Sequence, residues 1–138
     1  MYPSGVPVAF DWSEYLNLAQ ELLEHAASSR SPEAYYRASI SRAYFAAHCK
    51  ARNYLRDVKG DILIPQTGSA HQYVIDKFRN SSDRRCRSVG QNLDRMRIDR
   101  TFADYQDVVP GLSKMASSSV RMGIKVFSTL TEIRINYD

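Results

Sequence analysis

Apolar side chains along this chain recur three and four positions apart, and no segment shows sustained alternation. That period belongs to helices with one buried face. Tyr15, Leu16, Ala19, Leu22, Leu23 and Ala26 mark a first helix, which the spacing of Asp11 and Glu14 as a capping box starts near Asp11. Ser28-Ser29-Arg30 ends it. Ser31-Pro32-Glu33 then supplies a cap residue, a proline at the first helical position and an acid in the first turn. This second helix is expected to run to about Asp57. Residues 58–68, VKGDILIPQTG, break the pattern and read as a loop in which ILI can be briefly extended. Ser69 and Gln72 form another capping-box spacing and open a third helix through HQYVIDKF, punctuated by Asn80, Ser81 and Ser82. A fourth helix is expected over about 83–103, with Gly90 as a bend. After the connection Asp107–Pro110, a fifth helix begins at Pro110 with Met115, Ala116, Val120, Gly123, Phe127 and Leu130 near one face. Ser117, Ser118 and Ser119 lower its helix propensity. The reading is all-α: a compact bundle of about five helices with short connections, one domain over residues 1–138 with its core at about 12–134.

The second helix carries more than a core face. On a wheel of about 100° per residue, Tyr36, Ile40, Ala43, Ala47, Ala51 and Tyr54 share one side. The alanines, four apart, let another helix approach closely. Arg37, Ser41, Tyr44, His48 and Arg52 form the neighbouring stripe, and Arg42, Cys49 and Arg56 lie beyond it.

Charge sharpens the picture. The chain carries a formal net charge of +4, and all of that surplus falls in residues 79–100. Arg79, Arg84, Arg85, Arg87, Arg95, Arg97 and Arg100 face Asp83, Asp94 and Asp99 there. Guanidinium pairs in two-point fashion with phosphate, so this segment reads either as an RNA or nucleotide contact or as a solvated face with internal ion pairs. No apolar run approaches the roughly 18 residues of a membrane span. The opening MYPSGVPVAFDW lacks the basic and long apolar regions of a secretory leader. Cys49 and Cys86 form neither a disulfide framework nor a zinc motif. The expectation is a cytoplasmic protein with reduced thiols.

Among the candidates for chemistry, His48 has two readings. Its imidazole can move protons near neutral pH, or it can simply hydrogen-bond Tyr44 one turn away. Arg42 and His48 stand six positions apart, about 120° around a helix and about 9 Å along it. One helix does not easily aim both at one atom, so a homodimer is the natural way to bring them together. The histidines His25, His48 and His71 are scattered without a paired ligand motif, so no metal is expected. Phosphate-binding glycine loops and nucleophile elbows are absent from the sequence.

The segment ISRAYFAAHCKARNYL resembles the marker helix of the HEPN superfamily, the higher-eukaryote and prokaryote nucleotide-binding helical domain. Ser41, Arg42, Tyr44, Phe45, Ala46 and Ala47 match a Ser-Arg-x-Tyr-Tyr-Ala-Ala pattern. Ser69-Ala70-His71-Gln72 resembles the start of the family's next helix. Residues 93–105, LDRMRIDRTFADY, resemble its later Leu-x-x-x-Arg-x-x-Arg-x-x-Ala-Asp-Tyr segment. The resemblance covers about residues 12–134 and implies a helical bundle that often dimerises. In active members an Arg-x(4–6)-His motif cleaves RNA without a metal or other cofactor, and Arg42-x5-His48 has that spacing. By this likeness His48 helps move protons as the ribose 2′-hydroxyl attacks phosphorus, and Arg42 stabilises charge on the phosphoryl oxygens. Arg37, Ser41, Tyr44 and Arg52 would line the RNA, and Arg95, Arg97 and Arg100 would meet phosphates. The departures are Ala43, where active members often place a polar residue, and Cys49, where relatives tend to place the histidine. Two functions follow. One is a metal-independent endoribonuclease of a toxin–antitoxin or phage-defence system. The other is a non-catalytic interaction or nucleotide-binding module paired with a small nucleotidyltransferase, which in the first case would act as antitoxin.

Overall fold

The computed structural model describes residues 7–137, with side chains described to Arg134. The described residues form five α-helices and no strand. They are α1 (Ser13–His25), α2 (Pro32–Asp57), α3 (Ala70–Arg79), α4 (Arg84–Tyr105) and α5 (Leu112–Tyr137), with a 3-10 turn at Ala26–Ser28 closing α1. Among the described residues no helix is long and apolar enough to cross a membrane.

The central element is α2, which packs against α1, α3, α4 and α5. Its small residues permit this. Ala43, Ala46, Ala47 and Ala51 are fully buried, and Ile40 and Tyr54 extend the same face. A side chain on Gly123 of α5 would meet the Ala43 carbonyl oxygen at 3.7 Å and Leu16 Cδ1 at 3.0 Å, so α1, α2 and α5 converge there at close range. The buried Ser39 hydroxyl fastens α2 to α1 by donating to the Ala19 carbonyl at 2.7 Å. The core continues through Val74, Ile75 and Phe78 of α3, Val89, Leu93 and Met96 of α4, and Val126, Leu130 and Ile133 of α5. The neighbouring stripe of α2 is also inside: Ser41, Tyr44 and His48 are all buried. With partners on several sides, α2 has little face left for water, which explains its weak amphipathic contrast.

Several local expectations need correction. Asp11 makes no capping box with Glu14; its carboxylate accepts from the amide and hydroxyl of Ser13 instead. Ser69 shares a hydrogen bond with Thr67, while Gln72 donates to Asp76, so no box opens α3. A side chain that does cap a helix start is Asp83, which accepts from the Arg85 amide at 2.7 Å at the start of α4. Residues 58–69 form an irregular loop with no extended pairing. On α5 the buried stripe runs through Ala116, Val120, Val126 and Leu130, while Phe127 is half-buried under the Lys50 ammonium.

Gly90 is not a bend. Helix α4 passes through it unbroken, and a Cβ there would stand 2.5 Å from the Arg79 nitrogen and 2.6 Å from Arg79 Cγ. The glycine exists because the end of α3 lies directly on α4.

Candidate functional site

Between α2, the 58–69 loop and the start of α3 runs an open groove of about 610 Å³. His48, Phe45 and Arg52 line it from α2, His71 from α3, and Ile62, Ile64 and Pro65 from the loop. His48 and His71 meet at its base with ring centroids 4.2 Å apart and planes 23° from parallel. Along the sequence His71 is one of three scattered histidines, and nothing in its spacing shows this pairing. The likeness of Ser69–Gln72 to a helix start placed His71 at the head of α3, but nothing in the sequence told which way α3 faces.

Tyr44 holds the second imidazole. Its ring is fully buried beneath the pair, and its hydroxyl lies 2.6 Å from His71 Nδ1. Burial raises the Tyr44 pKa, so the phenol keeps its proton. Donation to His71 Nδ1 is then the arrangement that satisfies this buried hydroxyl, and it puts the His71 proton on Nε2. Of the two readings of His48, the hydrogen bond to Tyr44 is not formed; the imidazole stacks on that ring at 5.8 Å. Its Nδ1 is buried without a hydrogen-bond partner, leaving Nε2 as the nitrogen through which the ring can exchange a proton. Desolvation lowers the His48 pKa to about 3, and repulsion from a protonated His71 and from Arg52 and Arg97 lowers it further. The same cause lowers the His71 pKa, with Arg97 and Arg100 adding to it. Both rings are therefore neutral at neutral pH.

The cations divide into those already committed and those still available. Arg37 is committed. It donates to the carbonyls of Ala103, Gln106 and Asp107 at 2.9, 2.6 and 3.1 Å, and to Glu33. It closes the C-terminus of α4 and stands outside the groove. In the arginine-rich segment, Arg79 pairs with Asp94, Arg85 with Asp83 and Glu132, and Arg95 with Asp99. Arg87 donates to the Ser81 and Ser82 carbonyls. Much of that positive charge is therefore spent on holding the bundle's surface together. Arg52 and Arg97 make no ion pair among the described residues; Arg52 bonds the Asn53 side chain and lies over the Trp12 ring at 5.8 Å, and Arg97 bonds the Gln72 side chain.

Arg42 lies beside the groove rather than in it. It stacks on Tyr15 and Phe45 and donates to Ser41 Oγ, which in turn donates to Asp104. The single chain thus joins His48 to His71, and Arg42 to Phe45, but does not bring Arg42 and His48 to one point. Cys49 is a buried, free thiol whose pKa is raised by that burial. Among the described residues no group of three or more histidine, cysteine, aspartate or glutamate side chains gathers.

Comparison of the chain with models of protein families, with curated proteins and with solved structures finds no match.

Proposed function

We propose that the chain binds RNA at the His48–His71 groove and cleaves it without a metal. The observation that carries this reading is the stacked imidazole pair lining an open groove, with Arg52 at its rim and Arg97 and Arg100 close enough to influence its charge. His71 presents its Nε2–H to a non-bridging phosphate oxygen. His48 takes the 2′-hydroxyl proton at Nε2, the 2′-oxygen bonds to phosphorus, and the bond to the 5′-oxygen breaks. That oxygen leaves with a proton from water, and His48 later releases its own. The products are a 2′,3′-cyclic phosphate and a 5′-hydroxyl. The bound phosphate's negative charge raises the pKa of both rings and makes His48 a better base than in the empty groove.

A second reading, an RNA- or nucleotide-binding module without catalysis, is favoured by the low His48 pKa of about 3, which makes the imidazole a weak base in the empty groove. With the His48 proton on Nε2, both rings are donors and the groove is simply an anion site. A small nucleotidyltransferase remains the partner implied for such a module, and a homodimer the route by which Arg42 of one copy could reach the groove of another.

One experiment separates the two readings. Purified protein is incubated with RNA in EDTA, beside the same sequence carrying 2′-deoxyriboses. The first reading expects RNA cut to cyclic-phosphate ends, the deoxy strand intact, and loss of cutting in His71→Asn, which sits at a half-exposed position, as well as in His48→Asn. Binding without any cutting assigns the chain to the second reading.

A further inference from the structure

A second cavity, of about 410 Å³, opens on another face of α2, between that helix, α5 and the segment ahead of α1. Lys50, Asn53 and Asp57 line it from α2, three and four residues apart along one helix face. Thr131 and Arg134 line it from α5, and Phe10 and Trp12 from the segment before α1.

The two helices give the cavity a direction. Lys50 Nζ lies 5.6 Å from the centre of the Phe127 ring. Seven residues further along each helix, Asp57 and Arg134 are neighbours. The Asp57 carboxyl is held below the usual carboxylate range first by its hydrogen bonds from Arg56, and then by the charges of Arg56 and Arg134. Helices α2 and α5 therefore run side by side in the same direction, with Lys50 and Arg134 about 10 Å apart along them.

The two ends differ in charge. At the first, hydrogen bonds from Ser13 and then the Lys50 ammonium lower the pKa of Asp11, so cation and carboxylate are matched. At the second, Asp57 already accepts from Arg56 at 2.7 and 3.0 Å. Arg134 is left over: it makes no ion pair and no hydrogen bond among the described residues. Between the ends the floor is apolar, with Tyr54 and Leu130 buried and Val58 half-buried. Phe10, next to Asp11, stands at the matched end. It meets Trp12 edge-on at 4.8 Å and stays 45% exposed.

We infer that this cavity is a binding site for a small aryl carboxylate, with its acid group on Arg134 and its ring against Phe10 over the apolar floor. A cationic ligand would find both carboxylates engaged, and an uncharged one would leave the guanidinium unused. A planar guanidinium suits a carboxylate, which it can meet at two points. The site lies outside the His48–His71 groove and holds whatever that groove binds.

Trp12 is the chain's one tryptophan and lines the cavity, so its fluorescence reads occupancy without a label. The full chain is titrated with 4-phenylbutyrate and, separately, with the uncharged 4-phenylbutyramide. The acid should give a saturable change at millimolar concentration or below, which a ligand of this size can reach. In Arg134→Gln its affinity should fall about 5- to 10-fold, between the loss of an exposed ion pair and that of a charged hydrogen bond. The amide should bind both proteins alike, and more weakly than the acid binds the wild type. Thr131→Phe, which places a ring in the cavity from an exposed position, should abolish binding of both compounds with helical circular dichroism retained. Phe10→Ala, also at an exposed position, should weaken both. No saturable response, equal affinity of acid and amide in the wild type, or undiminished binding in a folded Thr131→Phe or Phe10→Ala overturns the site. An Arg134→Gln variant that binds the acid as tightly as the wild type overturns it too.

Discussion

Replacing His48 by phenylalanine should remove an acid sensitivity that the folded chain carries at the base of its groove. The ring is 5% exposed, stacked on His71 and near Arg52 and Arg97. Its pKa is about 3 in the fold against 6.5 for an ordinary histidine. The fold therefore favours the neutral form. The stability this contributes is complete above about pH 6.5 and is lost as pH falls from there towards 3. Each pH unit in that window costs about 1.4 kcal/mol for one proton taken up only by the unfolded chain. Between about pH 8 and about pH 5 the loss comes to about 2 kcal/mol from His48 alone, a large share of a typical domain's margin.

His71 shifts in the same direction and adds its own loss, so the slope of the wild type by itself does not isolate His48. Asp99 works the opposite way. It is buried, and desolvation outweighs its pairing with the exposed Arg95, so its pKa is raised and it favours the fold as pH falls. Both contributions cancel when wild type is compared with His48→Phe, which keeps an apolar ring of similar size for stacking. Urea unfolding at the two pH values gives the comparison. The variant should lose about 2 kcal/mol less than the wild type over this interval. Equal losses in both proteins would refute the reasoning, because they would mean that the His48 ring takes up protons in the fold as freely as it does in water.

Two structural predictions accompany it. Arg37→Ala should lower stability by about 1.5–3 kcal/mol, the range for hydrogen bonds that involve a charged group. It should leave the salt slope of RNA binding untouched, because its guanidinium is already spent on three carbonyls of the α4 terminus. An altered slope in a titration of RNA binding against salt concentration would instead make Arg37 an RNA contact. Gly90→Ala should destabilise by about 1–2 kcal/mol. The gain of about 1 kcal/mol in helix propensity is outweighed by a methyl group forced to within 2.5 Å of the Arg79 nitrogen. A raised urea midpoint would show that α3 can move off α4 at no cost.

These two residues also mark where the sequence could be read and where it could not. Helix α2 was legible almost to the residue, Pro32 to Asp57, because both its start signal and its small-residue register are local. The capping boxes failed because a serine or aspartate at the right spacing has several nearby partners to choose from. Asp11 took Ser13, and Ser69 took Thr67. Three of the seven arginines in the basic segment, Arg79, Arg85 and Arg95, proved to be paired with its own acids, which composition and spacing left open. The contents of the groove were less accessible still. His48 belongs to a helix whose faces can be counted, but His71 reaches it only because α3 lies at one particular distance and rotation on α4. That distance depends on the missing side chain at Gly90, where the Arg79 backbone sits directly against the helix. Read along the chain, the same glycine looks like a weak point in α4. The feature that makes the imidazole pair possible is therefore an absence on one helix, at the opposite end of α3 from the histidine it helps to place, and helical periodicity carries no information about it.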